Sequence, residues 1–191
     1  NSKAVDLYTE SKKAQEAVVA ASSLTHVVLR PTLMFGWFDR KHLGWLRRFM
    51  DRSAVFPIPG HGRYPRQPLY AGDFSAIVES TLKSRITGAY NISGLAQIDY
   101  IDLIRSIKEV TKARASVIKI PYTVFAALLA ARATFDRNPP FTTKQLQALV
   151  IPETFEVIDW PGIFGVKATP LREALDLTFN HPVYSKVTLT F

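Results

Sequence analysis

Tyr8 and Lys12 stand four residues apart in the stretch Tyr8-Thr9-Glu10-Ser11-Lys12. On a helix, positions i and i+4 lie one above the other, so a phenol and an ammonium are held side by side. A free tyrosine loses its proton near pH ~10. A cation a few ångströms away favours the phenolate and lowers that value. Such a pair can give or take a proton at a carbonyl or carbinol carbon. The same spacing also arises from a partly buried tyrosine beside a solvated lysine, so the surrounding sequence has to decide.

Other chemistries find little support. His26, His42, His61 and His181 are far apart and form no H-x-x-x-H pair, and there is no cysteine. No metal site is therefore expected, and disulfides are excluded. No G-x-S-x-G nucleophile elbow occurs. Gly60-His61-Gly62 is followed by Pro65 where a dinucleotide cradle needs a third glycine, so that loop does not hold a pyrophosphate. Lys and Arg outnumber Asp and Glu by 24 to 16, a net charge of +8. That excess suits a phosphate-bearing ligand, an anionic surface or nucleic acid, or is simply a basic surface. The cluster Arg40, Lys41, Arg47, Arg48 and Arg52 reads as the solvated side of a helix. With no recognition motif beside it, no nucleic-acid partner is expected.

The elements that must position Tyr8 and Lys12 follow from periodicity. Asp6 is placed to cap a helix reaching about residue 22. An apolar strand over 25–29 reads as internal to a parallel sheet and ends at Arg30-Pro31. A helix over 41–52 carries Leu43, Leu46, Phe49 and Met50 on one side. Residues 55–67 are loop with one short strand, 69–71 a short strand, and Asp73 an N-cap for a helix to 83. A strand over 88–93 precedes a helix from 100 to about 112 capped by Asp99, and 116–120 alternates as a strand. The uncharged apolar run over 120–131 is too short to span a bilayer and reads as a buried helix. Thr142 and Gln145 form a capping box, and Thr169-Pro170 opens a helix over 171–177. Trp37, Trp45 and Trp160 read as packing residues and His26 as a satisfied core histidine.

Strands alternating with helices predict an α/β layered fold. With 191 residues, 47% of them hydrophobic, the chain can bury a core of its own. It starts at Asn1 with little room for a strand before the first helix, and is expected to be a fragment of a longer protein.

Three features stand in order: Tyr8 with Lys12; Leu29-Arg30-Pro31-Thr32-Leu33-Met34-Phe35-Gly36; and the stretch from Pro59-Gly60-His61-Gly62-Arg63-Tyr64-Pro65-Arg66 through Gln67-Pro68-Leu69-Tyr70-Ala71-Gly72-Asp73. Together they resemble the C-terminal portion of the extended short-chain dehydrogenase/reductases, the NAD-dependent epimerase/dehydratase family. The resemblance covers most of the chain and is strongest over 8–95. It implies a Rossmann-like α/β fold, with 1–40 ending the dinucleotide-binding domain and 41–191 forming mainly the substrate-binding subdomain, some segments returning to the Rossmann part.

The resemblance also implies roles. Tyr8 is the catalytic acid/base, and Lys12 lowers its pKa and binds the nicotinamide ribose. Pro31 and Thr32 line the nicotinamide pocket; Arg66, Leu33 and Phe35 contact substrate, Arg66 through a diphosphate. An arginine suits that task because its planar fork binds phosphate oxygens in pairs; a surface arginine in a polar loop is the alternative. Leu33 replaces the asparagine of many nucleotide-sugar enzymes, and Gln67-Pro68 replaces an Asp-aromatic pair. These forms look more like the branch containing the accessory NAD(P)H-binding subunit of respiratory complex I. The triad's Ser or Thr and the glycine-rich loop would lie upstream.

The implied function is NAD(P)-dependent hydride transfer on a nucleotide sugar or related hydroxyl or carbonyl compound. The alternative is a non-catalytic NAD(P)H-binding accessory subunit or sensor. The cofactor is NAD or NADP in the full-length parent, bound weakly or not at all by this portion, which alone is expected to be inactive. A cytoplasmic protein is expected, with no transmembrane segment and with an edge at 25–29 able to pair with a second copy as a homodimer.

Overall fold

A computed structural model describes residues 7–39, 41–135 and 141–187; of Leu7 and Tyr8 it describes the backbone alone. The expected cap Asp6 and the basic residue Arg40 lie outside the described residues. The chain alternates α1 (Leu7–Ala20), β1 (Val27–Pro31), β2 (Met34–Phe35), α2 (Leu43–Arg52), β3 (Val55–Pro59), β4 (Pro65–Arg66) and β5 (Leu69–Tyr70). It continues with α3 (Ala71–Ser84), β6 (Gly88–Ile92), β7 (Ile98–Asp99), α4 (Tyr100–Thr111), β8 (Ser116–Ile120) and α5 (Tyr122–Phe135). The helices α6 (Thr143–Val150), α7 (Trp160–Phe164) and α8 (Leu171–Asn180) follow. The fold is mixed α/β with mostly parallel pairing.

β1 runs parallel to β6, from Val27 opposite Gly88 to Pro31 opposite Ile92. The strand thus continues two residues beyond the expected 25–29. Proline is tolerated there because, among the described residues, β1 pairs only with β6, leaving Pro31 on an edge. β2 pairs with β5 and β3 with β8, both parallel, while β4 pairs antiparallel with β7.

Two clusters of buried side chains hold these pairs together. In the larger, Leu43 and Met50 of α2 meet Phe56 and Ile58 of β3, Ile104 and Ile107 of α4, and Ala174 and Leu175 of α8. In the smaller, Leu69, Ile77 and Ile92 close around Trp160 and Phe164 of α7. Trp160 is 1% exposed and its indole donates to the Ser93 carbonyl (3.0 Å), as a buried indole requires.

Several local expectations are corrected. The helix over 71–84 begins two residues before Asp73; Tyr70 is its N-cap, and Asp73 in the first turn accepts instead from Thr169. α2 starts at Leu43 because the Asp39 carboxylate accepts from the backbone N–H groups of Lys41, His42 and Gly44. α8 has Pro170 as its N-cap and runs to Asn180. Asp99 sits at the N-cap of α4 without a side-chain bond, whereas the Thr142–Gln145 capping box forms in full. His26 is half-buried ahead of β1, its Nδ1 2.9 Å from the Leu24 carbonyl oxygen, and is not a core residue. The apolar helix α5 is not buried: none of its residues is, and Leu128 and Phe135 are 59% and 92% exposed. No helix among the described residues is long and apolar enough to cross a membrane.

Candidate functional site

The helical register of α1 puts Tyr8 and Lys12 one turn apart on one face. The Tyr8 side chain lies outside the described residues. Lys12 is exposed, and its Nζ donates to Gln15 Oε1 at 3.2 Å. One turn further on, Glu16 anchors the helix. Arg30 of β1 donates through Nε (2.9 Å) and Nη2 to the two Glu16 oxygens, and through Nη1 (3.2 Å) to Asn91 Oδ1 of β6. One guanidinium therefore ties α1 to both parallel strands near their C-terminal ends, the side on which open α/β sheets take ligands. The hydrogen bond from Arg30 holds the Glu16 carboxyl below its ordinary range, and Glu16 in turn raises the Arg30 guanidinium. Sequence reasoning had assigned neither residue a role; a Glu one turn after Lys12 and an Arg ending a strand were the available signals.

Pro31 and Thr32 follow directly. Pro31 is exposed; Thr32 donates its N–H to the Ile92 carbonyl (3.0 Å) and its hydroxyl to the Gln67 carbonyl (3.1 Å). The Thr32 hydroxyl fastens the chain after β4 to the end of β1. Gln67 is buried; its Nε2 donates to the Gly94 carbonyl (3.3 Å) and its Oε1 accepts from the Phe155 N–H. Gln67, unlike an aspartate, can serve a donor and an acceptor at once here.

Arg66 and Leu33 share a cleft of ≈ 450 Å³ with Lys41, His42 and Gln145, walled by Trp45, Tyr100, Phe141 and Leu149. Arg66 is 5% exposed. Its Nη1 donates to the carbonyls of Pro65 (2.8 Å) and Ile151 (3.0 Å) and its Nη2 to that of Leu149, while Nε lies 4.0 Å from Glu153. Burial pulls its pKa below the ordinary arginine value, and the Glu153 carboxylate opposes that shift. The cation therefore satisfies the last carbonyls of α6, at the negative end of that helix. Burial pushes the Tyr100 phenol in the same wall far up, so it stays a neutral donor. Phe35 faces elsewhere: it is in the core and lines a smaller cavity of ≈ 190 Å³ with Tyr70, Asp73 and Trp160. The structure thus groups Arg66 with Leu33, places Phe35 in a second cavity, and sets Lys12, Pro31 and Thr32 outside both.

Lys41, His42 and Gln145 were not assigned to a site from sequence. Lys41 and His42 were legible only as the start of a basic amphipathic helix, and Gln145 only as a capping residue. The Gly60–Gly62 turn is packed rather than open. A Cβ at Gly62 would meet Ile58 and Ile101 within 2.9 Å. Among the described residues, no group of three or more His, Cys, Asp or Glu is gathered as metal ligands would be.

No protein-family model and no curated protein matches the sequence. Solved structures match it well. The dTDP-4-dehydrorhamnose reductase of Bacillus anthracis, in complex with NADP, superposes with a TM-score of 0.64 at 15% identity, covering 95% of this chain and 57% of that one. A UDP-N-acetylglucosamine 4-epimerase from Methanobrevibacter ruminantium, in complex with UDP-N-acetylmuramic acid, gives 0.63 at 14%, covering 90% and 50%. The UDP-glucose 4-epimerase of Thermotoga maritima, with UDP-glucose, gives 0.62 at 18%, covering 91% and 50%. The chain spans about half the length of these structures. Over the portion it spans, the chain shares the Rossmann-like α/β fold of these structures.

Proposed function

We propose that the protein carrying this chain is an NAD(P)-dependent epimerase, dehydratase or reductase acting on a nucleotide sugar or a related hydroxyl or carbonyl compound. The observation that carries the reading is the anchoring of α1. A helix bearing Tyr8 and Lys12 in register is held by Glu16 and Arg30 against the ligand-facing ends of β1 and β6, within a fold shared with enzymes of this kind.

The residues present fit one side of a nicotinamide site. The exposed Lys12 ammonium presents donors suited to ribose hydroxyls, and the exposed Pro31 offers an apolar surface at the strand end. A bound nicotinamide supplies hydride acceptance and return; the protein's part is orientation and proton transfer. Tyr8 removes the proton of the substrate hydroxyl, or returns it, and Lys12 favours its phenolate. The substrate is set by the cleft of Leu33, Lys41, His42 and Arg66. Replacing Tyr8 by Phe in the full-length protein should lower turnover about 10²–10⁴-fold with nicotinamide affinity retained; unchanged turnover rejects the assignment.

One observation favours a second reading, a nucleotide-binding module that does not turn over. Arg66 already donates three hydrogen bonds to carbonyls, which leaves it less to offer a diphosphate. Hydride transfer by the wild-type protein to any candidate substrate decides between the two.

A further inference from the structure

Tyr64 and Tyr100 are two phenols of the larger core cluster, 6% and 7% exposed. They differ in what their hydroxyls do. Tyr64 donates to the Pro59 carbonyl at 2.8 Å, as a buried phenol ordinarily must. Among the described residues the Tyr100 hydroxyl has no hydrogen-bond partner, although the Tyr100 N–H donates to the Tyr64 carbonyl at 3.0 Å. No fully enclosed side-chain oxygen or nitrogen among the described residues is left unpartnered. The Tyr100 hydroxyl is therefore not sealed in the core and opens on the space its side chain borders. That space is the cleft of Leu33, Lys41, His42 and Arg66, with the apolar cavity that adjoins it beside α5. Arg66 lines the cleft and not the apolar cavity. Burial raises the Tyr100 pKa, and the Arg66 guanidinium is near enough to oppose that rise.

We propose, on the reading of this cleft as the substrate site, that Tyr100 binds the substrate there, its hydroxyl donating to an anionic oxygen, phosphoryl or carboxylate. Arg66 spends Nη1 and Nη2 on the carbonyls of Pro65, Ile151 and Leu149, so it offers the cleft mainly its charge. Tyr100 supplies the directed donor that Arg66 has committed elsewhere. Lys41 and His42 also line the cleft, and among the described residues no carboxylate does. A negative oxygen gains from that field, whereas a cationic group is repelled by Lys41 and Arg66. A donor with no protein acceptor also discriminates, because a ligand lacking an oxygen there leaves the hydroxyl unmet.

The test is calorimetric titration of the full-length protein with inorganic pyrophosphate and with malonate, NADH and NADPH being in excess to occupy any dinucleotide site. Wild type should bind at least one of them, and the tighter of the two tells a phosphoryl from a carboxylate acceptor. Tyr100→Phe keeps the ring and should weaken that anion about tenfold or more, as loss of a hydrogen bond to a charged group does. Its urea midpoint should stay at the wild-type value, because no protein acceptor is lost. Tyr64→Phe is the converse control. Its midpoint should fall, since the Pro59 carbonyl loses its donor, while anion affinity stays within about twofold. Wild-type affinity in Tyr100→Phe overturns the proposal. So does a lowered midpoint in that variant, or failure of wild type to bind either anion. Turnover in Tyr8→Phe tests hydride transfer separately, so either reading can fail alone.

Discussion

Arg30 and Glu16, fourteen residues apart, form the contact that fixes the candidate catalytic helix to the sheet, and Asn91 shares the same guanidinium. Helix α1 is otherwise nearly all exposed, with Val18 and Val19 in solvent. Among the described residues apolar burial contributes little to holding it, and this ion pair is a polar tie between α1 and the two strands.

The pair should show a defined acid signature. The folded state lowers the Glu16 pKa below the ordinary 4.5. Its stabilisation is therefore full above that value and is lost as pH falls through the folded pKa. Both side chains are about a third exposed, so the contribution is under about 1 kcal/mol. Wild type and Glu16→Gln should differ by that amount in urea unfolding at pH 7 and converge only once the pH has fallen through the folded-state pKa of Glu16, below the ordinary 4.5. A difference that persists at low pH would mean the carboxylate charge is not what matters. On the proposed reading, Glu16→Gln in the full-length protein should lower kcat more than it raises KM.

Arg66 should behave as a structural cation before it behaves as a ligand-binding one. Arg66→Met leaves the carbonyls of Pro65, Leu149 and Ile151 without their donor in a buried setting, which costs about 2–4 kcal/mol. Arg66→Lys should recover only part of that, because one ammonium cannot reproduce the fork. Thermal unfolding measures both. A variant of unchanged stability with weakened substrate binding would reverse this order of roles.

The alternation of strands and helices was legible from residue types, because each element's pattern repeats over several residues. Ser116–Ile120 and Gly88–Ile92 follow from local periodicity alone, and the Thr142 capping box from its own four residues. The two-residue strands β2, β4 and β7 were not legible, since their pairing is fixed by distant chain rather than by their own pattern. The same holds for Asp73, whose acceptor role depends on Thr169, 96 residues away. α5 misled for a different reason. Apolar composition reports what a helix can bury, not whether anything covers it. For the site, the Tyr8–Lys12 register and the Arg30-Pro31 strand end were readable, whereas the carbonyls around Arg66 come from a helix end that no motif near residue 66 announces.

Asp73 and Thr169 join the first turn of α3 to the residue before α8. The carboxylate accepts the Thr169 N–H (3.0 Å) and its hydroxyl (2.6 Å). Asp73→Ala removes both acceptors from a largely buried position, for about 1–3 kcal/mol. Amide exchange at Thr169 should quicken in the variant while exchange in α4 slows or quickens only with global stability. Thr169→Val, which keeps the N–H bond, should cost less.

Gly62 and Gly165 separate backbone strain from packing. Both have positive φ, +75° and +62°. A Cβ at Gly165 meets nothing within 4 Å, so Gly165→Ala should cost only the left-handed penalty of about 1–2 kcal/mol. At Gly62 the same atom would fall 2.7 Å from Ile58 Cγ2 and 2.9 Å from Ile101 Cβ. Ile101 cannot retreat easily, because its N–H donates to the Gly62 carbonyl at 3.0 Å and its side chain is in the core. Gly62→Ala should therefore cost the same penalty plus about 1–3 kcal/mol of overpacking. Parallel urea titrations give the difference directly. Equal losses at the two positions would mean that the turn after β3 can move away from α4, and that Gly62 is needed for its dihedral angles alone.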